Sequence, residues 1–240
     1  MKDVSERPGW MYDESRHCGV DYAKAEQANA YDERHTSFRD VKREFSEMLA
    51  LLDAAAPGEM AVLDIGCGTG LFTEAMAETF AHVHAVDVSL PMLEQARAKR
   101  GRGNVTFHQA GFLTYVHEDK PVDLIVTKMA FHHLPDFWKQ VALLRMNGML
   151  KLGGWLYIHD VVFGFAPEEY FGRVGKWVET IGYLAGERVR EETETHIRDE
   201  YSTFGWILEG MLVRAGFSME KNVSADGLVT HMVSRKVRDV

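Results

Sequence analysis

Two cysteines in 240 residues, Cys18 and Cys67, leave no basis for a disulfide framework or a cysteine-rich zinc centre. No apolar run approaches the roughly 20 residues that span a bilayer. The first residues are polar and charged, which argues against a signal peptide. These absences lead to the expectation of a soluble, cytoplasmic protein. Basic excess is missing too. The formal net charge is −9, and the two basic clusters, Arg97-Lys99-Arg100-Arg102 and Arg235-Lys236-Arg238, are short enough to be solvated helix ends. A broad nucleic-acid surface is therefore not expected. Eleven histidines do not spell a metal site either. His82 and His84 share a strand face, but no acid or cysteine follows at a spacing that completes a ligand set. The adjacent His132 and His133 point apart on any regular element. No metal is expected, and neither internal repeats nor low-complexity segments are found.

What is present is an ordinary globular composition, 46% apolar, in a chain long enough for one substantial core and an appendage. Residues 1–37 carry polar and aromatic residues of weak periodicity and read as an N-terminal arm or cap on a domain spanning 38–240. Within 38–54, Val41, Phe45, Met48, Leu49 and Leu52 recur at helical spacing until Pro57 and Gly58 stop the helix. Strands are expected over 61–65, 83–86, 105–108, 122–127 and 155–159. Helices over 71–80, 92–99 and 137–150 alternate with them, and Lys151–Gly154 reads as a turn. Such alternation means a largely parallel sheet covered on both faces, with its ligand crevice outside the strand carboxyl ends. After Asp160 the rhythm changes. Residues 164–200 are aromatic and charged, densest in RVREETETHIRDE, and read as an inserted helical lid whose charged run faces water. A helix over 204–215 and two strands around Ala225-Asp226-Gly227 complete the pattern.

The strand at 61–65 runs into Asp64-Ile65-Gly66-Cys67-Gly68-Thr69-Gly70. Lacking a Cβ, the three glycines let the backbone turn tightly and approach a bound group. The free N–H groups of the helix that follows face the same crevice. Asp87 stands seventeen residues past Gly70, at the end of the second strand, where a carboxylate can accept hydrogen bonds from both hydroxyls of a ribose. Those features imply a nucleoside-containing ligand. The dinucleotide spacing G-x-G-x-x-G is not met, because the third glycine falls at 70 and Leu71 stands in its place. Asp64, two residues before the first glycine, would repel a pyrophosphate and attract an ammonium group. An amino acid joined to a nucleoside suits this pocket better than a diphosphate, which counts against a nicotinamide-dependent oxidoreductase. Cys67 reads as a small filler, not a nucleophile.

The chain resembles the class I S-adenosylmethionine-dependent methyltransferases. Asp64–Gly70 matches the family's first motif and Val86-Asp87-Val88-Ser89 its second. Asp123-Leu124-Ile125-Val126 with Phe131-His132-His133-Leu134-Pro135-Asp136 matches the segment around its fourth strand, and Leu150-Lys151-Leu152-Gly153-Gly154 the turn before its fifth. The resemblance implies an α/β fold with a doubly wound, seven-stranded Rossmann-like sheet in the order 3-2-1-4-5-7-6, the last-numbered strand antiparallel. It also implies S-adenosyl-L-methionine as cofactor and S-adenosyl-L-homocysteine as product. Gly66, Cys67 and Gly68 would hold the methionine part beside Asp64, and Asp87 the ribose. Val88 and Met92 would flank the adenine, the loop Ala110-Gly111-Phe112 would reach its other edge, and Lys128 would end the fourth strand against the cofactor. One departure stands out. Many relatives carry an aspartate about where Gly111 stands, pairing with the adenine amino group, and Gly111 has no side chain to do so.

On the acceptor side the candidates are Tyr31 from the arm, His132 and His133 after the fourth strand, and Tyr201 after the insertion. No residue announces itself as a base. The acidic surface favours a small-molecule substrate. Alternatives are a tRNA or protein methyltransferase and a non-catalytic S-adenosylmethionine-binding regulator. No Asn-Pro-Pro-Tyr-type motif follows the fourth strand, which reads Lys128-Met129-Ala130-Phe131. A monomer or a homodimer is expected, without membrane association.

Overall fold

The apolar strand Ala61–Ile65 (β1) lies in the middle of a sheet whose path is β3-β2-β1-β4-β5-β8-β7, with the short β6 pairing off β5. The computed structural model describes residues 8–16, 18–36, 39–99 and 103–240. The expected arm–domain boundary at 37–38 and Arg100 and Arg102 of the first basic cluster lie outside the described residues. The other strands are His82–Asp87 (β2), Val105–Gln109 (β3), Val122–Lys128 (β4), Leu150–Phe163 (β5), Thr203–Phe204 (β6), Phe217–Ser224 (β7) and Val229–Lys236 (β8). Strands β1 to β5 pair in parallel, whereas β8 runs antiparallel to both β5 and β7. The doubly wound order expected from the resemblance is therefore present, with the last-numbered strand β8 antiparallel to its neighbours and β7 beyond it at the edge.

Helices cover both faces because consecutive strand residues, which point to opposite faces, are apolar. Leu63, Ile65 and Ile125 point into a core shared with Leu143 and Met146 of α5 (Asp136–Met149) and Leu208 and Leu212 of α8 (Gly205–Arg214). Val62, Leu124 and Val126 point the other way. They meet Phe45 and Met48 of α2 (Val41–Leu52) and Phe72 and Met76 of α3 (Leu71–Thr79). Each fully buried side chain of this size contributes about 1.5–3 kcal/mol. Local chemistry sets the helix ends: Asp40 caps α2 by accepting from the Arg43 amide, and Ser89 caps α4 (Leu90–Ala98) from the Met92 amide.

Two segments depart from expectation. Lys151–Gly154 does not turn but opens β5, a strand of fourteen residues that pairs with β4 across a register shift near Val122. Glycine there signals a bulge as readily as a loop. The insertion is helical, α6 (Tyr170–Ala185) and α7 (Glu187–Asp199), but it supplies no wall to the main cavity. Instead α7 lies beside residues 19–27 of the arm, forming a shallow cleft with Asp21 and Lys24 opposite Arg188 and Glu192. The arm, with α1 (Ala25–Thr36), is what crosses the strand carboxyl ends. It is pinned there by Asp32, which pairs with Lys99 Nζ at 2.6 Å, and by Ser89 Oγ, which donates to the Tyr22 carbonyl at 2.7 Å. Among the described residues no helix is long and apolar enough to cross a membrane.

Candidate active site

A cavity of about 1080 Å³, counting its open mouth, sits where the carboxyl ends of β1, β2, β3 and β4 meet. Gly66 and Gly68 form its floor with φ of +83° and +55°. Any other residue at 66 would also drive its Cβ to 2.3 Å from Ala130 Cβ, so backbone and packing both require glycine there. The turn is held from β2. Asp87 accepts from the Gly68 amide through Oδ2 and from the Ser89 amide through Oδ1, both at 2.8 Å. Thus Asp87 braces the glycine turn as well as facing the cavity. Met129, just past β4, adopts a φ of +51° with its amide donating to the His159 carbonyl at 2.8 Å. A non-glycine residue in that region is strained by roughly 1–3 kcal/mol and such strain clusters at functional sites.

Charge in the cavity is arranged in a chain. Asp64 is 2% exposed and accepts from Thr73 Oγ1 at 2.7 Å. Burial raises its carboxyl to about 7, against the Thr73 hydrogen bond, and nearby Asp87 pushes the same way. Lys128 reaches Glu44 Oε2 at 3.1 Å, and Arg39 grips both oxygens of Glu44 at 3.0 and 2.8 Å. Burial and Arg39 bring the Lys128 ammonium down to about 8, despite Glu44. Burial works against ionisation of Glu44, but Arg39 and Lys128 overcome it and hold the carboxyl near 2. The cavity therefore offers a buried carboxylate poised near neutrality, fitted to a cationic group.

The arm roofs this space with Glu14, Tyr22 and Tyr31. Tyr22 and Tyr31 meet edge to face at 5.6 Å, and burial raises the Tyr31 phenol although Arg39 opposes it. Glu14 answers the departure at Gly111. Its carboxylate accepts from the Leu113 amide at 2.9 Å and from Thr114 Oγ1 at 2.5 Å. A Cβ at position 111 would lie 2.5 Å from that carboxylate. The place of a side chain at 111 is taken by an acid from the arm.

All ten residues expected around the cofactor, Asp64, Gly66, Cys67, Gly68, Asp87, Val88, Met92, Gly111, Phe112 and Lys128, line this cavity, as do Tyr31 and His133. His132 and Tyr201 do not. His132 is 6% exposed, its Nδ1 lying 2.5 Å from Asp160 Oδ1 and its Nε2 3.3 Å from Glu200 Oε2. Asp160 also accepts from the amides of Phe131, His132 and Val161. Burial alone would raise the Asp160 carboxyl, yet His132 and the Val161 amide hold it well below the usual carboxylate range. Tyr201 lies next to this group, its amide donating to the His132 carbonyl at 2.9 Å and its hydroxyl 3.6 Å from Cys18 Sγ.

Sequence reasoning missed Glu14, Arg39, Glu44, Asp160 and Glu200. For Glu44 a signal was available, since it stands three residues after Val41 on the apolar face of α2. Glu200 closes the charged run that was expected to face water, but its side chain is 5% exposed. Nothing in the weakly periodic arm marks Glu14.

The chain matches a family model described as "Methyltransferase domain" over residues 62–154. An uncharacterised methyltransferase of a Geobacillus species is 30% identical over 200 residues, covering 81% of this chain and 87% of the relative. Another, from Mycobacterium tuberculosis, is 34% identical over 110 residues; that match takes in 45% of this chain and about half, 55%, of the mycobacterial protein. Among solved structures, SAM-bound CalS10 superposes with a TM-score of 0.65 at 17% identity, covering 86% of this chain and 96% of that one; it is an amino pentose methyltransferase from Micromonospora echinaspora.

Proposed function

The chain belongs to the class I S-adenosylmethionine-dependent methyltransferases, and from that premise we propose that it transfers the methyl group of S-adenosylmethionine to a small-molecule acceptor inside the roofed cavity. The observation that carries the reading is the pairing of buried Asp64 with Asp87 across a glycine turn that no Cβ could enter at Gly66. An ammonium group suits Asp64 and vicinal hydroxyls suit Asp87. Neither the proximity of two carboxylates nor the glycine register suits a pyrophosphate.

When bound, the cofactor supplies a sulfonium-linked methyl group for in-line displacement, the acceptor lone pair forming the new bond as the carbon–sulfur bond breaks. What remains for the protein is orientation and exclusion of water. In this reading Asp64 holds the amino group and the backbone of Gly66–Gly68 lies along the methionine portion. Asp87 holds the ribose while keeping the turn in shape. Val88 and Met92 flank the adenine, and Glu14 accepts from its amino group in place of a side chain at 111. Lys128 faces Asp64 and offsets part of the negative charge there. Tyr22, Tyr31 and His133 stand on the acceptor side.

A small acceptor is supported by the roof. Tyr22, Tyr31 and Glu14 cross the cavity, and the net charge of −9 offers little to a polyanion. CalS10 acts on an amino pentose, which is in keeping with that size class. The free cysteines, one buried and one half-buried, fit a cytoplasmic setting. The test is incubation with methyl-labelled S-adenosylmethionine and a fractionated cell extract. Label should appear in low-molecular-weight products that gain one CH2 unit. Label confined to tRNA or protein would overturn the small-molecule reading while leaving methyl transfer intact.

A further inference from the structure

We propose that His132, His133 and Glu200 form a binding site for one divalent transition-metal ion beside the cavity. Their ligand atoms lie within 4.8 Å of one another, the one such group of three among the described residues. The residues come from two distant segments: the short turn after β4 carries the histidines, and the residue following α7 supplies the carboxylate.

Three features distinguish this cluster from chance proximity. First, His132 Nε2 and Glu200 Oε2 are 3.3 Å apart. Two ligands held at about 2.1 Å from one ion stand about 3.0–3.4 Å from each other. Second, the outer groups are in place. Asp160 Oδ1 sits 2.5 Å from His132 Nδ1 and thereby directs Nε2 toward Glu200, while His196 Nδ1 lies 2.5 Å from Glu200 Oε2. A carboxylate behind a ligating imidazole orients the ring and raises its basicity. His196 Nε2 is in turn fixed by Ser202 Oγ at 2.7 Å. Third, space has been made for the carboxylate: a Cβ at Gly19 would stand 2.2 Å from Glu200 Oε1. Charge pairing accounts for the His132–Asp160, His132–Glu200 and His196–Glu200 contacts. It does not require His133 or the gap at Gly19.

Two imidazoles and one carboxylate suit Zn2+ and the neighbouring divalent ions better than Mg2+ or Ca2+. An ion with three protein ligands keeps at least one position for water or an incoming oxygen or nitrogen atom. Because His133 also lines the cavity, such an ion would be available to hold an acceptor bearing a hydroxyl, carboxylate or amine. That use rests on the methyl-transfer reading; the ion site itself does not.

The experiment is a titration of metal-stripped full-length protein with Zn2+, followed through the imidazole nitrogen resonances of the 15N-labelled wild type and, in parallel, by calorimetry. The expected result is one saturable equivalent that shifts the ring signals of His132 and His133 and leaves those of His84 and His108 in place. Glu200→Gln and His133→Ala should each weaken Zn2+ binding by about tenfold or more, whereas His84→Ala should leave it unchanged. Absence of saturable binding, or shifts confined to other histidines, would overturn the site. The wild-type spectra decide the matter even where a variant fails to fold, and neither readout depends on methyl transfer.

Discussion

Replacing Glu14 by alanine removes the one acid that stands where a side chain at 111 would be. The carboxylate accepts from the Leu113 amide at 2.9 Å and from Thr114 Oγ1 at 2.5 Å. The Leu113 amide would lose its partner in a partly buried setting, a cost of about 1 kcal/mol to docking of the arm. If the same carboxylate accepts from the adenine amino group, a charge-assisted bond of about 1.5–3 kcal/mol goes with it. The dissociation constant for S-adenosylhomocysteine should therefore rise about 10- to 150-fold. Gly111→Ala reaches the same group from the other side, because the new Cβ would meet the Glu14 carboxylate at 2.5 Å and Val88 Cγ1 at 2.6 Å. Both substitutions expel the carboxylate, so the double variant should lose little more than the worse single one. Calorimetry on the four proteins gives the coupling, expected at about 1 kcal/mol or more. Effects that add to within about 0.5 kcal/mol would show that Glu14 and position 111 do not share one task, and a less than twofold change in Glu14→Ala would remove Glu14 from the site altogether.

Three other outcomes are expected. Asp64, with its carboxyl raised to about 7 by burial, attracts an ammonium group only when ionised. Cofactor affinity should therefore be full above pH 7 and fall by up to about tenfold per unit below it, a dependence that calorimetry across pH 5.5 to 8.5 reads and that Asp64→Asn should abolish. Asp87→Ala takes an acceptor from the Gly68 and Ser89 amides as well as from the ribose, so affinity should drop more than about tenfold and the Tm of the ligand-free protein should fall with it. Unchanged Tm in a differential scan would contradict the bracing role. His84 is buried against His82, His108 and His117, with ring centroids 4.5, 5.7 and 4.9 Å away and Asp119 at 4.0 Å. Burial and its histidine neighbours lower it to about 4, so it stays neutral in the fold while the unfolded chain takes up protons below about pH 6.5. Stability present above that pH should be lost as the pH falls toward 4, by about 1–3 kcal/mol, and urea midpoints for His84→Ala should fall less steeply over this window than those of the wild type.

Much of the fold was legible because its signals are local. Apolar strands such as Ala61–Ile65 and Val122–Lys128, each ended by a charged residue or glycine, announce a parallel sheet wherever the chain folds. The floor of the cavity was legible for the same reason, since Asp64, Gly66, Gly68 and Asp87 come from two consecutive strand ends. The roof was not. Glu14 meets Leu113 across 99 residues and Glu200 meets His132 across 68, and neither approach leaves a period or a spacing in the sequence. No metal motif was legible in the sequence, and the cluster proposed above joins residues of two distant segments that no motif spacing links. Residues 164–200 read as a lid from their aromatic and charged composition and their lack of a strand signal, with the arm as a second roof. The arm gets there first, and α7 packs beside it. Lys151–Gly154 shows the limit of glycine as punctuation, for Gly153 at a φ of +77° bends β5 without ending it.

The identity of the ligand that the cavity binds is the most direct test. Calorimetric titration of the full-length protein with S-adenosylhomocysteine, alone and in the presence of excess NAD+, measures it. One equivalent of S-adenosylhomocysteine should bind, with an affinity that NAD+ does not alter. Binding of NAD+ with no heat from S-adenosylhomocysteine would contradict the reading of Asp64, the glycine turn and Asp87 together.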